Sequence, residues 1–303
     1  MILITEFMDE AWVDWLRDRA PVTYAPDLPD RPDDLARLAK DATALIVRNR
    51  TQVRGDLLAA GFTCVGRLGV GLDNIDLDGC TTRGIEVFPA TGANTLSVAE
   101  YVITTAAVLL RGAYLMREQM EAGDWPRVAA GQGREIAGKV LGLVGYGGIA
   151  RETARLGRAL GMDIAGYDPF LPNGTSAWGD TRPLSLEALL AEADVVSLHV
   201  PLTDSTRHLI DADAIDGMKP GAVVVNAARG GVVDEPALCA ALCDGRLAGA
   251  ALDTFEKEPL GADNPFAGVP NLILTPHIGG VTAEANARVS EMTARKVAAH
   301  LGL

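Results

Sequence analysis

The sequence predicts an α/β protein with two doubly wound parallel-sheet domains, and three observations predict it. Short apolar runs such as Ala44-Leu45-Ile46-Val47 and Ala222-Val223-Val224-Val225 recur along the chain and read as buried strands. Helical stretches of mixed polarity lie between them, and strands that alternate with helices form parallel sheets. One run, Val140-Leu141-Gly142-Leu143-Val144, opens straight into the glycine-rich turn Gly145-Tyr146-Gly147-Gly148-Ile149-Ala150. At 303 residues, 48% of them hydrophobic, the chain is long enough for two domains.

The elements follow in order. Ile2-Leu3-Ile4 reads as a first strand, and Asp9 as the cap of a helix carrying Trp12, Trp15 and Leu16, the tryptophans serving as core anchors. Val22-Thr23-Tyr24 is a second strand. Pro26, Pro29 and Pro32 break the chain before a helix over about 33–40. Ala44–Val47, Thr63–Leu68 and Ile85–Phe88 complete five strands, a flavodoxin-like sheet. The stretch from Asn94 to about Ala122 predicts one long helix, with Ser97-Val98-Ala99-Glu100 as a capping box and Val98, Tyr101, Val102, Thr105, Val108 and Leu109 at helical spacing. It is expected to contribute to a subunit interface.

After the glycine-rich turn comes a helix with Ile149, Thr153, Leu156 and Leu160 on one side, then the strand Met162–Tyr167. Ser185 caps a short helix, Asp194–Leu198 and Ala222–Asn226 are strands, and Asp234 caps the next helix. Strands from Gly249 and from Asn271 follow, and Thr282 starts a terminal helix long enough to rejoin the first domain. The first domain is therefore expected over 1–96 and 283–303, and the second over 97–282.

The turn at 145–150 is a G-x-G-x-x-A form of the dinucleotide fingerprint. Gly145 allows the tight turn, Gly147 lets a pyrophosphate approach the backbone, and Ala150 lets the helix pack on the strand. The helix N-terminus then offers N–H groups and the positive end of its dipole. Asp168 stands about 20 residues on, where a ribose-binding acid belongs. A carboxylate accepts from a ribose 2′-hydroxyl and repels a 2′-phosphate, so NAD is expected rather than NADP. Pro169 and Phe170 follow it, so no arginine stands beside it to receive that phosphate.

The net charge of −13 argues against nucleic acid, which needs a basic face. The N-terminal apolar run is too short for a signal peptide, and no run reaches membrane-spanning length, so a cytoplasmic protein with no membrane contact is expected. Of the four cysteines, Cys239 and Cys243 are spaced i, i+4, but no His or acid cluster completes a metal site. Free thiols in a reducing compartment are the expectation, and no metal.

The chain resembles the NAD-dependent D-isomer-specific 2-hydroxyacid dehydrogenases, the group that includes phosphoglycerate dehydrogenase. The resemblance spans almost the whole length. It rests on G-V-G-L-D-N-I-D at 69–76, G-K-V-L-G-L-V-G-Y-G-G-I-A at 138–150, H-V-P-L-T at 199–203, N-A-A-R-G-G-V-V-D-E at 226–235, A-L-D-T-F-E-K-E-P-L at 251–260 and T-P-H-I-G-G at 275–280. It implies a Rossmann NAD-binding domain inserted into the flavodoxin-like substrate domain, and a homodimer. It also implies Arg229, Glu258 and His277 as catalytic residues. For the cofactor it implies Tyr146, Gly147, Gly148, Ile149, Asp168, His199, Ala227, Arg229, Asp253 and His277. For the substrate carboxylate it implies the backbone N–H groups of Val70 and Gly71, beside the Arg229 fork, and Arg48 is a further candidate through its charge. Arg48-Asn49 stands where relatives often have Arg-Ser, so substrate preference is open to change.

These residue types suit hydride transfer between a hydroxy acid and a keto acid. The reaction needs a proton donor and acceptor, and histidine is the side chain that ordinarily titrates nearest neutrality. Of His199, His208, His277 and His300, the last reads as a surface residue of the terminal helix and His208 as a polar-loop residue. His277, between Pro276 and Gly279 at a strand end, is the expected acid/base. Glu258 is expected to hold its imidazole, a nearby carboxylate stabilising the imidazolium. Glu256 competes for that role, and the resemblance selects Glu258. Arg229 offers a planar fork for a carboxylate and a charge to polarise the keto oxygen. Asp253 has a turn cap as its alternative role.

The expected function is an NAD-dependent oxidoreductase interconverting a small 2-hydroxy acid and its 2-keto acid. A second anionic group, as in 3-phosphoglycerate or 3-sulfolactate, would find charge in Arg48, Arg50, Arg127 and Arg134, for which structural roles are equally open. Sulfur at C3 can turn the family's hand into an S label through priority rules alone. No added regulatory domain is expected after the terminal helix. The alternatives are a glyoxylate or hydroxypyruvate reductase, and an NAD(H)-sensing corepressor-like protein on the same fold.

Overall fold

A computed structural model describes residues 1–112, 114 and 116–303. The chain forms two compact units, Met1–Asn94 with Val281–Leu303, and Thr95–Gly280.

The first unit begins with β1 (Ile2–Ile4), α1 (Glu10–Arg17), β2 (Val22–Tyr24), α2 (Pro32–Ala39), β3 (Ala44–Val47), β4 (Cys64–Arg67), α3 (Leu77–Thr82) and β5 (Glu86–Pro89). Its five strands are all parallel, in the order β2-β1-β3-β4-β5. That is the flavodoxin-like order, whose sequence reverses between the first strand and the third. The strands β1 and β3 are buried on both faces, which is why they read as unbroken apolar runs. Asp9 caps α1 through Ala11 N, as expected from its position. Trp12 and Trp15 are half-buried against the core with ring centroids 5.5 Å apart.

In the second unit, α4 (Thr95–Arg111) is shorter than the predicted helix. Gly112, at φ +66°, adopts the left-handed conformation that ends helices, and its N–H returns to Val108 O. The short helices α5 (Arg117–Glu121) and α6 (Arg127–Ala130) follow. The expected helix over Ala113 and Leu115 lies outside the described residues. The capping box does not form either: the helix starts at Thr95, so Ser97 is already helical and buried.

The unit continues with β6 (Val140–Val144), α7 (Gly148–Ala159), β7 (Asp163–Tyr167), β8 (Arg182–Pro183), α8 (Leu186–Glu192), β9 (Val195–Leu198), α9 (Ala212–Gly217), β10 (Ala222–Asn226), α10 (Glu235–Cys243), β11 (Leu247–Leu252) and β12 (Leu272–Leu274). Its seven parallel strands run β12-β11-β10-β9-β6-β7-β8. The order reverses between β6 and β9. Ligands of such sheets bind where this reversal opens a crevice at the carboxyl ends of the strands. Ser185 and Asp234 cap α8 and α10 through Ala188 N and Ala237 N.

One expected face is corrected. The buried side of α7 is Ala150, Thr153, Ala154 and Gly157, whereas Leu160 is 45% exposed. A Cβ on Gly157 would sit 3.0 Å from both Ile164 and Leu141, so even an added methyl would have to displace their side-chain ends. An apolar-spacing rule favours large side chains and misses a face selected for smallness.

The terminal helix α11 (Ala283–Leu301) is capped by Thr282 and belongs to the first unit. Val289, Ala294, Val297 and Ala298 enter that unit's core beside Ile2, Ile46 and Cys64. His300 is not a free surface residue. Its ring packs edge-on against Phe88 at 5.5 Å, and its side chain reaches Thr63 Oγ1 and Glu86. No described helix is long and apolar enough to cross a membrane.

Candidate active site

At the reversal point, β6 runs into Gly145, which has φ +87°. A Cβ there would lie 2.7 Å from His199 O, so the turn requires glycine both for its dihedral and for its close neighbour. A Cβ on Gly147 or Gly148 would meet nothing within 4 Å, so both backbones face open space at the first turn of α7. Asp168 follows β7 and braces this turn. Its Oδ2 accepts from Tyr146 N at 2.9 Å and its Oδ1 from Phe170 N at 2.9 Å. Each oxygen keeps a lone pair for a ribose hydroxyl. A glycine cradle open to the phosphates, a helix N-terminus and an acid fixed beside them fit a dinucleotide.

Two neighbours of this cradle are tied to the protein itself. Tyr146 turns its side chain into the core, stacked on Trp178 at 4.7 Å with its hydroxyl beside Thr181 and Trp178 O, and its N–H is taken by Asp168. Its side chain is thus committed to the core under the turn and its N–H to the Asp168 carboxylate. His199, after β9, has Nε2 2.9 Å from Ser197 Oγ, and burial lowers its pKa to about 4. It is a neutral ring at physiological pH.

The second cluster stands at the ends of β10, β11 and β12, which are neighbours in the sheet. Arg229, Glu258 and His277 arise on the three loops that leave these strands. The first loop is shaped by Asn226, whose Oδ1 accepts from Ala228 N at 3.1 Å and whose Nδ2 donates to Arg229 O at 2.9 Å. Gly230 then presses against the second loop. On the third loop, His277 Nδ1 lies 2.8 Å from Glu258 Oε2. Burial raises the Glu258 pKa, but the His277 hydrogen bond, the Phe255 N–H and the charges of His277 and Arg229 outweigh it and hold the carboxyl below its usual range. Arg229 also donates through Nη1 to Ala228 O at 2.6 Å.

Geometry separates the two competing glutamates. Glu256 Oε1 is 2.7 Å from His208 Nε2, while its N–H donates to the buried Glu235 at 2.7 Å. It belongs to a different pair. Asp253 is 1% exposed and accepts three hydrogen bonds from the third loop: Thr275 Oγ1 at 2.6 Å, Ile278 N at 2.7 Å and Gly279 N at 2.7 Å. Its contacts describe the turn-bracing alternative. A Cβ on Gly279 would lie 3.4 Å from Ala227 Cβ, so Ala227 abuts the same loop. Ile149 is half-buried in the first turn of α7.

In the first unit, Arg48 follows β3, while Val70 and Gly71 follow the adjacent β4. Arg48 is half-buried, with Nη2 2.5 Å from Asn286 Oδ1. The N–H groups of Val70 and Gly71 have no protein acceptor among the described residues. Asn74 ties the two loops, donating to Arg48 O at 3.1 Å and Thr51 O at 2.7 Å. Beneath them lies Glu6, 3% exposed, whose carboxylate accepts from the N–H groups of Arg48, Arg50 and Thr51. Sequence reasoning missed Glu6 and Asn226, since a single polar residue beside a strand carries no periodic signal. Arg50 pairs with Asp30, and Arg134 with Gly221 O and Asp194. Among the described residues no group of three or more His, Cys, Asp or Glu could hold a metal ion.

A family model for the D-isomer specific 2-hydroxyacid dehydrogenase, NAD binding domain, matches residues 103–279. The (S)-sulfolactate dehydrogenase of Chromohalobacter salexigens is 52% identical over 305 aligned residues, covering 100% of this chain and 98% of that one. The D-3-phosphoglycerate dehydrogenase of Methanocaldococcus jannaschii is 38% identical over 98% of this chain, which spans only 56% of that relative. A solved structure from Thermus thermophilus has a TM-score of 0.91 at 31% identity, covering 99% of this chain and 96% of that one. With the glycine cradle, its ribose-side acid and the three-loop cluster in one parallel-sheet unit, the chain belongs to the D-isomer-specific 2-hydroxyacid dehydrogenases, NAD-dependent oxidoreductases of 2-hydroxy acids.

Proposed function

We propose that the protein interconverts a 2-hydroxy acid carrying a second anionic group and its 2-keto acid, with 3-sulfolactate favoured over 3-phosphoglycerate. The observation that carries the chemistry is the Glu258–His277 contact of 2.8 Å beside the Arg229 charge. The sulfonated substrate is supported by 52% identity to a sulfolactate dehydrogenase over nearly all of both chains.

Nicotinamide, when bound, supplies or receives the hydride at C2; Gly147, Gly148, Ile149 and Asp168 would hold its dinucleotide. The remaining work falls to the protein. Arg229 takes the substrate carboxylate in its planar fork and offsets charge growing on the keto oxygen. Glu258 accepts from His277 Nδ1, which fixes the ring and leaves Nε2 to hand a proton to that oxygen, or to remove it in the reverse direction. In the first unit, the N–H groups of Val70 and Gly71 and the Arg48 guanidinium are donors suited to the anionic groups of such a substrate. The Arg48 guanidinium is hydrogen-bonded to an amide rather than a carboxylate, and the Glu6 carboxylate lies near enough to act on it through charge.

The test is NADH consumption with 3-sulfopyruvate, 3-phosphohydroxypyruvate, hydroxypyruvate and glyoxylate. The highest kcat/KM is expected with the sulfonate; a preference for hydroxypyruvate or glyoxylate would replace this reading with the simple-reductase alternative.

We also propose a homodimer in the cytoplasm. Tyr114, Trp125 and Val128 are 72%, 75% and 82% exposed in the segment after α4, apolar surface that a second copy would cover. Free thiols at Cys64, Cys80, Cys239 and Cys243 support a reducing compartment. Light scattering at micromolar concentration reads the mass directly, and a monomer would end the dimer proposal.

A further inference from the structure

His277 has φ +56°, a left-handed conformation that a residue with a side chain keeps only where its surroundings hold it. The two N–H groups that follow it, of Ile278 and Gly279, both donate to the Asp253 carboxylate, one to each oxygen. The same carboxylate takes the Thr275 hydroxyl at 2.6 Å, and Thr275 Oγ1 lies 2.7 Å from Tyr101 OH on α4. Directions follow from chemistry. A carboxylate only accepts, so the single Thr275 proton points to Asp253, and the Tyr101 hydroxyl must donate to Thr275. Burial raises the Tyr101 pKa, against the Thr275 hydrogen bond, so the phenol remains a donor at working pH. Tyr101 also backs the turn by contact: a Cβ on Gly279 would lie 2.9 Å from Asp253 Oδ2 and 3.4 Å from the Tyr101 ring.

We propose that Tyr101 and Thr275 are positioning residues for His277. They fix the Asp253 carboxylate, and that carboxylate clamps the 278–279 backbone so that the left-handed turn presents the imidazole to Glu258. Without the hydroxyl donors the carboxylate is free to rotate about its own bond, and the clamp on two consecutive N–H groups loosens. The inference rests on the reading of His277 as acid/base. It extends that reading to a helix residue 176 positions earlier in the chain, through a relay whose three links are each under 3 Å.

The experiment uses Thr275→Val, which keeps volume and removes the hydroxyl, Thr275→Ser, which keeps the hydroxyl, Tyr101→Phe, and His277→Ala as control. In the cofactor-free protein, amide exchange at Ile278 and Gly279 should quicken about tenfold or more in Thr275→Val and Tyr101→Phe and stay near wild type in Thr275→Ser. In turnover, the first two should lose kcat by about tenfold or more with substrate KM within about twofold, and Thr275→Ser should recover it. If Thr275→Val and Tyr101→Phe keep wild-type kcat while His277→Ala is inactive, the relay is wrong and the acid/base reading stands. If His277→Ala retains turnover, the acid/base reading itself falls. Lost kcat with unchanged amide exchange, or equal losses in Thr275→Ser and Thr275→Val, would also overturn the relay.

Discussion

Gly230 and Phe255 are in backbone contact so close that a Cβ on Gly230 would fall 1.9 Å from the Phe255 carbonyl oxygen. This contact sets the loop bearing Arg229 against the loop bearing Glu258. Gly230→Ala must push the two apart, because the obstructing atom is backbone and cannot swing away. The expected cost is about 1–3 kcal/mol of stability. A loss of kcat larger than the loss of folded protein is also expected. Thermal melts and kinetics on the folded fraction check it; a variant with wild-type kcat would show that the loops need not touch.

The two glutamates two residues apart should separate cleanly. Glu258→Gln removes the charge that His277 Nδ1 faces and should lower kcat roughly a hundredfold. Glu256→Gln, whose partner is His208, should leave kcat within about twofold. Equal effects in steady-state assays would mean that the His208 pair also serves the chemistry.

Asp168→Ala is expected to cut kcat/KM for NAD more than for NADP, moving the ratio toward NADP by about tenfold. It removes the acceptor for the ribose 2′-hydroxyl and also frees Tyr146 N and Phe170 N. An unchanged ratio in side-by-side titrations would assign the preference to another group.

His199 gives the fold a pH dependence whose sign is fixed. Its folded pKa, near 4, lies below the ordinary histidine value of 6.5 because burial disfavours the cation. Between these values the unfolded chain binds the extra proton, so stability rises with pH. The contribution is complete above about 6.5 and is lost as pH falls toward 4, at most ~3 kcal/mol by linkage. Denaturant melts from pH 7 to pH 4.5 should lose less stability in His199→Gln than in wild type. Identical slopes would mean that the ring does not titrate this way.

Local patterns were the legible part of this molecule. The run into Gly145, the caps Asp9, Ser185 and Asp234, and the alternation of strands with helices are each written within a few residues, and the parallel-sheet class follows from them. Where one element meets another, the text was opaque. Leu160 reads as core because the rule counts apolar residues, whereas the buried side of α7 is made of small ones and Leu160 is exposed. The long helix was overextended because Gly112 inside an apolar pattern is ambiguous until its dihedral is known. The site follows the same division. Its residue types are readable, but Glu256 and Glu258 are told apart only by the family resemblance until their histidines are located. The service of Asp253 to the His277 loop, and of Glu6 to the Arg48 loop, depends on contacts across 22–26 and 42–45 positions. Sequence periodicity does not reach that far.

The small-residue underside of α7 has a consequence for redesign. Bulk added on that side would press on Ile164 and Leu141, so room for a bulkier adenosine phosphate is better sought elsewhere. Engineers who want this catalyst to run on a different reductant should leave the small residues Ala150, Ala154 and Gly157 untouched and begin at Phe170, whose side chain stands 92% in solvent beside the Asp168 carboxylate.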